Sequence, residues 1–143
     1  MRMSNTWALL APLLLAAALS SGDANASDTS IALGEVAVPP ASSGVDRATL
    51  RTAAEGELRS VDTSKLRKRR NVVVSVAVIG SAPSPFACTV NALLRDAETG
   101  TMLAIVEGRA RAEGAANPEL RKRVLRAAVR SAVRQIPEAL AGN

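Results

Sequence analysis

The sequence predicts an α+β domain whose strands and helices follow the order β-α-β-β-β-α. Three observations support this. Apolar and polar residues alternate over residues 86–113, residues 72–79 are a run of mostly β-branched apolar residues, and two stretches place apolar residues at helical spacing. A mainly antiparallel sheet with two helices packed on one face satisfies this order.

The first strand and the first helix are marked by a proline stop and a capping residue. Residues 31–38 (IALGEVAV) are apolar and β-prone, and Pro39-Pro40 ends them. Asp46 fits a helix N-cap, and the helix is predicted from about Arg47 to Ser60. The first strand could then lie parallel to a neighbour through a right-handed crossover.

The second strand is predicted from an apolar run. Its side chains fall into two sets, Val72, Val74, Val76 and Val78 on one face and Val73, Ser75, Ala77 and Ile79 on the other. Because both faces are largely apolar, the strand is predicted to be central or covered on both sides. Residues 80–85 (GSAPSP) are predicted to form a loop.

A hairpin follows. Residues 86–95 and 101–113 alternate in polarity and are joined by "DAETG", in which Gly100 supplies a positive φ. One face of residues 86–95 is apolar, and residues 101–113 carry small apolar residues on the same side of the hairpin. The opposite face of residues 101–113 is charged, with Glu107, Arg109, Arg111 and Glu113.

The last helix begins with a strong signal, because Asn117 fits an N-cap and Pro118 fits the first helical position. Its apolar stripe consists of Leu125, Val129, Val133 and Ile136. Arg126, Arg130 and Arg134 form a ladder at i,i+4 spacing on a polar face. Pro137 is expected to end or kink this helix.

The N-terminus has the features of an export signal. Arg2 precedes an apolar run at residues 7–19, and Ala24-Asn25-Ala26 fits a cleavage site. We therefore expect residues 1–26 to be a cleaved signal peptide and residues 27–143 to form a single domain. No cysteine lies near the cleavage site to accept a lipid. The protein is expected to be exported, periplasmic or extracellular, and soluble after cleavage.

The composition argues against catalysis and against bound metals or cofactors. The sequence contains no histidine, so the usual catalytic triads cannot form, and with one cysteine as well it is unpromising for transition-metal binding. We expect no catalytic residues, no cofactor and no metal. Cys88 shares a face with Phe86, Val90 and Leu94, which favours a small buried residue. An intermolecular disulfide is the alternative, and it would require that face to be exposed.

The strongest binding candidate is a basic segment ahead of the second strand. The formal net charge is +5 and stays +5 without the leader, which favours anionic partners. The candidate polyanion-binding residues are Lys65, Arg67, Lys68, Arg69 and Arg70. The ligand would be an anionic lipid, lipopolysaccharide or a cell-wall polymer; nucleic acid is disfavoured because no exposed aromatic is expected. The alternative is that residues 65–70 are only a solvated loop that leads into the strand.

The second half of the chain also resembles a known pattern. "VNALLRDAETGTMLAIVEGRARAEG" followed by "NPELRKRVLRAAVRSAVRQIP" is similar to a strand, a "D-x-x-T-G" hairpin, a strand and a closing helix. That pattern occurs in the periplasmic domain of the curli-secretion lipoprotein and in outer-membrane lipoproteins that activate peptidoglycan synthases. The resemblance implies the same fold and a role in envelope scaffolding.

The leading hypothesis is an exported, non-enzymatic binding or scaffolding domain of the cell envelope that acts through a protein partner. The doubly apolar second strand also predicts a homodimer. The alternative is a polyanion-binding module that uses the basic segment 65–70.

Overall fold

A computed structural model describes residues 29–40, 44–64, 66, 69–83, 85–114 and 117–142. The predicted signal peptide therefore lies outside the described residues. The elements are β1 (Ser30–Ala37), α1 (Arg47–Leu58), β2 (Asn71–Pro83), β3 (Phe86–Asp96), β4 (Met102–Ala112), α2 (Pro118–Val133) and α3 (Ile136–Ala141).

The four strands form one sheet in the order β1-β2-β3-β4. β1 pairs in parallel with β2, with Ser30 opposite Asn71 and Ala37 opposite Ala77. β2 pairs antiparallel with β3, and β3 antiparallel with β4. The predicted α+β fold and the central position of β2 are confirmed.

Both long helices pack on the same face of the sheet, and the core lies between them and the strands. Strands β2 and β3 contribute their predicted apolar sets, Val72, Val74, Val76 and Val78 with Phe86, Cys88, Val90, Ala92 and Leu94. The predicted stripe of the last helix, Leu125, Val129, Val133 and Ile136, is buried against them. The spacing of apolar residues in the sequence therefore predicted these core positions.

Both helix starts are capped as predicted. The Asp46 side chain accepts a hydrogen bond from the backbone N–H of Thr49 at 2.7 Å, and Asn117 accepts one from that of Leu120 at 2.8 Å. Each cap satisfies a donor that has no partner within its helix.

Helix α2 approaches β4 at Gly108. A Cβ atom there would lie 2.0 Å from the Ala128 carbonyl oxygen and 2.5 Å from the Ala132 nitrogen, so only glycine fits. Just beyond α2, the Gln135 side-chain amide donates to the Glu107 backbone carbonyl at 2.6 Å. This contact satisfies a carbonyl of β4, which is an edge strand of the sheet.

The predicted loop at residues 80–85 is wrong for its first part. β2 continues to Pro83, with Gly80 opposite Thr89 and Pro83 opposite Phe86. A register shift between Val78 and Gly80 marks a β-bulge, and the bulge lets the strand pair on past it. Pro83 is tolerated because it stands at the very end of the strand.

The sequence predicted that Pro137 ends or kinks the last helix, and the helix is interrupted close to this residue. α2 ends at Val133, and Pro137 sits in the first turn of α3, where a missing N–H costs little. Across the described ranges, no helix is long and apolar enough to cross a membrane.

Candidate functional surfaces

The sheet has a second face, opposite the helices, which we call the open face. None of its side chains is buried. Its members are Val73, Ser75, Ala77 and Ile79 of β2, Ala87, Thr89, Asn91, Leu93 and Arg95 of β3, and Ile105, Glu107, Arg109 and Arg111 of β4. The sequence predicted β2 to be central or covered on both sides, and the described part of the chain leaves this second face uncovered.

One part of the open face is apolar. Leu93 of β3 and Ile105 of β4 lie side by side, and the small polar Ser75 of β2 lies on the other side of Leu93. Ile105 is 58% exposed, and Ile79, in the β2 bulge, is 50% exposed. Ile79 lies four residues farther along β2 than Ser75, so it is separate from the Leu93–Ile105 pair. That pair is the apolar part of the open face that could take part in an interaction.

The rest of the open face is charged. On β4, Arg109 Nε lies 2.6 Å from Glu107 Oε1, and Arg111 Nη2 lies 2.9 Å from Glu113 Oε1. These pairs are well exposed, so each contributes little to stability. Beneath them, the Oδ1 atom of Asn91 is buried and accepts no hydrogen bond from the described residues. The charges therefore shape the surface more than they hold the fold.

The basic segment is only partly described. Lys65, Arg67 and Lys68 lie outside the described residues. Arg69 is exposed, and Arg70 is half-buried. Both line a cavity of about 360 Å³ together with Asn71, Asp96 and Glu98.

The two acidic residues in this cavity reduce its attraction for an anion. Backbone N–H groups of Thr99 and Glu98 donate to Asp96 and hold its pKa below the usual value, with a smaller contribution from the positive charge of Arg70. Asp96 is therefore an anion that faces the two described arginines. The predicted polyanion site at residues 65–70 stays a prediction.

On the helix side, the arginine ladder of α2 lies along α1. Arg126 and Arg130 line a hollow with Glu55 and Glu57 of α1. Arg130 Nη2 lies 3.2 Å from Glu57 Oε1, and Arg130 Nε also donates to that carboxylate. The sequence identified the ladder but could not place α1 beside it.

Cys88 is 1% exposed, which confirms that it is a small buried residue. Burial raises the pKa of its thiol to about 11, so the thiol stays protonated at neutral pH. An intermolecular disulfide would require Cys88 to leave the core. Within the described residues, no three Cys, Asp or Glu side chains are grouped closely enough to hold a metal ion.

Solved structures share this fold. PelC from Paraburkholderia phytofirmans, described as a dodecamer, matches in two crystal forms. The first has a TM-score of 0.56 at 14% identity, over 80% of this chain and 90% of that chain. The second has a TM-score of 0.52 at 13% identity, over 80% and 89%. A Xanthomonas campestris protein of the DUF330 family model has a TM-score of 0.50 at 9% identity, over 81% and 86%.

At these identities the likeness shows a common fold. A scan against protein-family models finds no match, and a search of curated proteins finds none either. The solved structures support the predicted fold class. They do not confirm the particular resemblance to the curli-secretion lipoprotein or to the synthase activators, which stays a prediction.

Sequence reasoning identified the second apolar face of β2 and the charged face of β4, but it missed the groove between the helices. The signal for the open face was the largely apolar second set of β2. The groove left no such signal, since it depends on how α1 and α2 pack together.

Proposed function

We propose that this protein is an exported, non-enzymatic domain of the cell envelope that assembles with another protein chain through its open face. The uncovered face, with Ile79 and Ile105 about half exposed, is the observation that carries the proposal. The leader at residues 1–26 supports export, and the lack of histidine supports a role without catalysis.

The size of the open face supports a protein partner. Its three strands, about 4.8 Å apart and about 11 residues long, cover roughly 14 Å by 36 Å, or roughly 500 Å². A standard interface takes about 800 Å² from each partner. The open face supplies most of that area without any change in the fold.

We propose that the partner is a second copy of the same chain. The charges on β4 have both signs, so Arg109 of one copy can pair with Glu107 of the other while the Ile105 side chains meet. The shared fold supports self-assembly too, because PelC of P. phytofirmans is described as a dodecamer.

Sedimentation velocity over a range of protein concentrations tests this assembly. The unaltered protein is expected to self-associate, and Ile105→Glu is expected to weaken association about tenfold or more by burying an unpaired charge. Ala127→Glu is the matched control, because it adds the same charge at an exposed position of α2. A protein that stays monomeric at high concentration, or an Ile105→Glu variant that associates normally, would contradict the proposal.

The alternative function is polyanion binding by residues 65–70. The exposure of Arg69 supports it, and the acidic Asp96 and Glu98 in the same cavity oppose it. Replacing Arg67, Lys68, Arg69 and Arg70 by Glu should abolish binding to anionic vesicles or sulfated resin if this segment is the site. Binding that persists in that variant removes the segment from consideration.

A further inference from the structure

The polar side of α2 carries a regular row of cations. Lys122, Arg126, Arg130 and Arg134 occur every fourth residue, and all four are exposed. Four residues of α-helix rise about 6 Å, so the row extends about 18 Å along the helix. Each step also turns by about 40° around the axis, so the row presents one positive group after another along a line that winds slowly around the helix.

The row lines one wall of a groove, and α1 lines the other. Three hollows of about 330, 420 and 530 Å³ follow one another between these helices. The first and second share Arg126, and the second and third share Arg130 and Glu57. Neighbouring hollows share lining residues, so the three hollows form a row between α1 and α2, which we call the helix groove. The Arg130–Glu57 ion pair crosses this groove between the second and third hollows.

The helix groove has more positive than negative groups. Its lining includes five basic side chains, Arg59, Lys122, Arg126, Arg130 and Arg134, and three acidic ones, Glu55, Glu57 and Asp62. The groove also lies on a chain with a formal net charge of +5. An anion that enters it is therefore attracted both locally and by the whole molecule.

Two guanidinium groups of the row are available to a ligand. Arg130 is paired with Glu57, whose side chain is only 15% exposed, and Lys122 lies 3.7 Å from Glu119. Arg126 and Arg134 have no acidic group within 4.0 Å among the described residues. They flank the Arg130–Glu57 pair about 12 Å apart.

We propose that the helix groove binds a linear anionic glycan that carries carboxylate groups. Each of Arg126 and Arg134 can hold a carboxylate with two parallel hydrogen bonds. Thr49 and Thr52 on the α1 wall donate their hydroxyl protons to Asp46 and to the Ala48 carbonyl. Their oxygens can therefore accept hydrogen bonds from sugar hydroxyls at the end of the groove lined by Lys122 and Arg126.

The surroundings favour a glycan over the other polyanions. Single-stranded nucleic acid is held by stacking on aromatic side chains, and Phe86, the single aromatic in the described part of the chain, is buried. A membrane surface is bound by apolar side chains of an amphipathic helix, and the apolar side of α2 is packed on the sheet. A recessed groove also suits a thin chain better than a flat surface.

Titration of the purified protein with alginate, a linear polyuronate, tests the proposal. The Arg126→Gln, Arg134→Gln double variant is expected to bind alginate at least about tenfold more weakly. The matched control is Arg109→Gln, Arg111→Gln on the open face, which removes the same charge and should change the affinity less than about twofold. Glu57→Gln should tighten binding, because it removes a negative group from the groove.

Several results would overturn the proposal. Equal losses in the two double variants would show that only net charge matters. Absence of alginate binding, equal binding of neutral dextran, or tighter binding of phosphatidylglycerol vesicles or single-stranded DNA would each reject the glycan. The proposal does not depend on self-assembly, because the helix groove and the open face lie on opposite sides of the sheet. Sedimentation of the same variants separates the two.

Discussion

Val78 and Ile79 are consecutive residues of β2 with opposite surroundings. Val78 is 1% exposed beneath the helices, and Ile79 is 50% exposed on the open face. The same alternation runs along β3, where Leu94 is fully buried and Leu93 is only partly covered. Adjacent side chains of one strand thus belong to two surfaces, one closed by the chain itself and one left open.

The comparison teaches that apolar character alone does not decide which face is covered. The helix-covered face is also distinguished by side-chain size. Because Gly108 has no side chain, the backbone of α2 can approach β4 directly. Among the described residues no helix packs on the open face, and its charged half resists burial against an apolar helix. Small residues facing an amphipathic helix are therefore a better sign of coverage than hydrophobicity.

The largest expected effect is a difference in stability between alanine substitutions at two glycines, one on each face of the sheet. Gly108→Ala places a Cβ against the backbone of α2 and should reduce the free energy of unfolding by about 3 kcal/mol or more. Gly80→Ala is the control, since its Cβ would have nothing within 4 Å, and its change should stay within about 0.5 kcal/mol. Urea unfolding of both variants measures the difference. Equal stability would show that α2 does not approach β4 this closely.

The next effect compares two neighbouring leucines. Leu94→Ala should cost about 2–5 kcal/mol of unfolding free energy, because it leaves a cavity in a core that cannot fully collapse. Leu93→Ala removes the same atoms from the open face and should cost about 1 kcal/mol or less. Denaturant curves recorded at protein concentrations too low for self-association measure both. A similar loss for the two variants would mean that the open face is covered after all.

A third effect concerns the buried thiol of Cys88 on the helix-covered face. Burial raises the pKa of Cys88 from 9.0 to about 11, so the folded protein keeps a proton that the unfolded chain releases. The resulting stability is present below about pH 9 and is lost as the pH rises towards 11. Unfolding at pH 8 to 11 should therefore show a fall that Cys88→Val lacks. A parallel fall in that variant would assign the loss to other groups.

The smallest effect concerns the hairpin turn between β3 and β4. Hydrogen bonds from Thr99 and Glu98 lower the pKa of Asp96, so its contribution to stability is present above about pH 4 and is lost as the pH falls through its folded value. Asp96→Ala should lower stability slightly at neutral pH and reduce the loss on acidification. Thermal unfolding at pH 7 and pH 3 measures both. An unchanged acid response would contradict this role of Asp96.

Most of the fold was accessible from the sequence because its signals are local. The caps at Asp46 and Asn117 and the turn at Gly100, whose φ is 72°, depend on residues close in the chain. The extension of β2 to Pro83 could not be predicted in this way. It depends on a bulge whose register is set by β3, a partner strand that the local pattern does not contain.

The candidate surfaces were less accessible for the same reason. The ladder of Arg126, Arg130 and Arg134 is plain in the sequence, but the groove exists only because α1 lies beside it. The basic segment, in contrast, is plain in the sequence and only partly described, since Arg69 and Arg70 are its described basic members. Charge runs identify cations, whereas tertiary packing decides what they face.

The parallel pairing of β1 with β2 has a consequence for the order of folding. The connection between β1 and β2 contains α1 and brings Ser30 opposite Asn71, whereas short turns join β2 to β3 and β3 to β4. Closing the long loop through α1 costs more chain entropy than closing either hairpin, so the β2-β3-β4 meander should form first and β1 with α1 should join it late. During synthesis β1 emerges before β2, the strand with which it pairs, exists. The first strand to be made is thus the last to be paired.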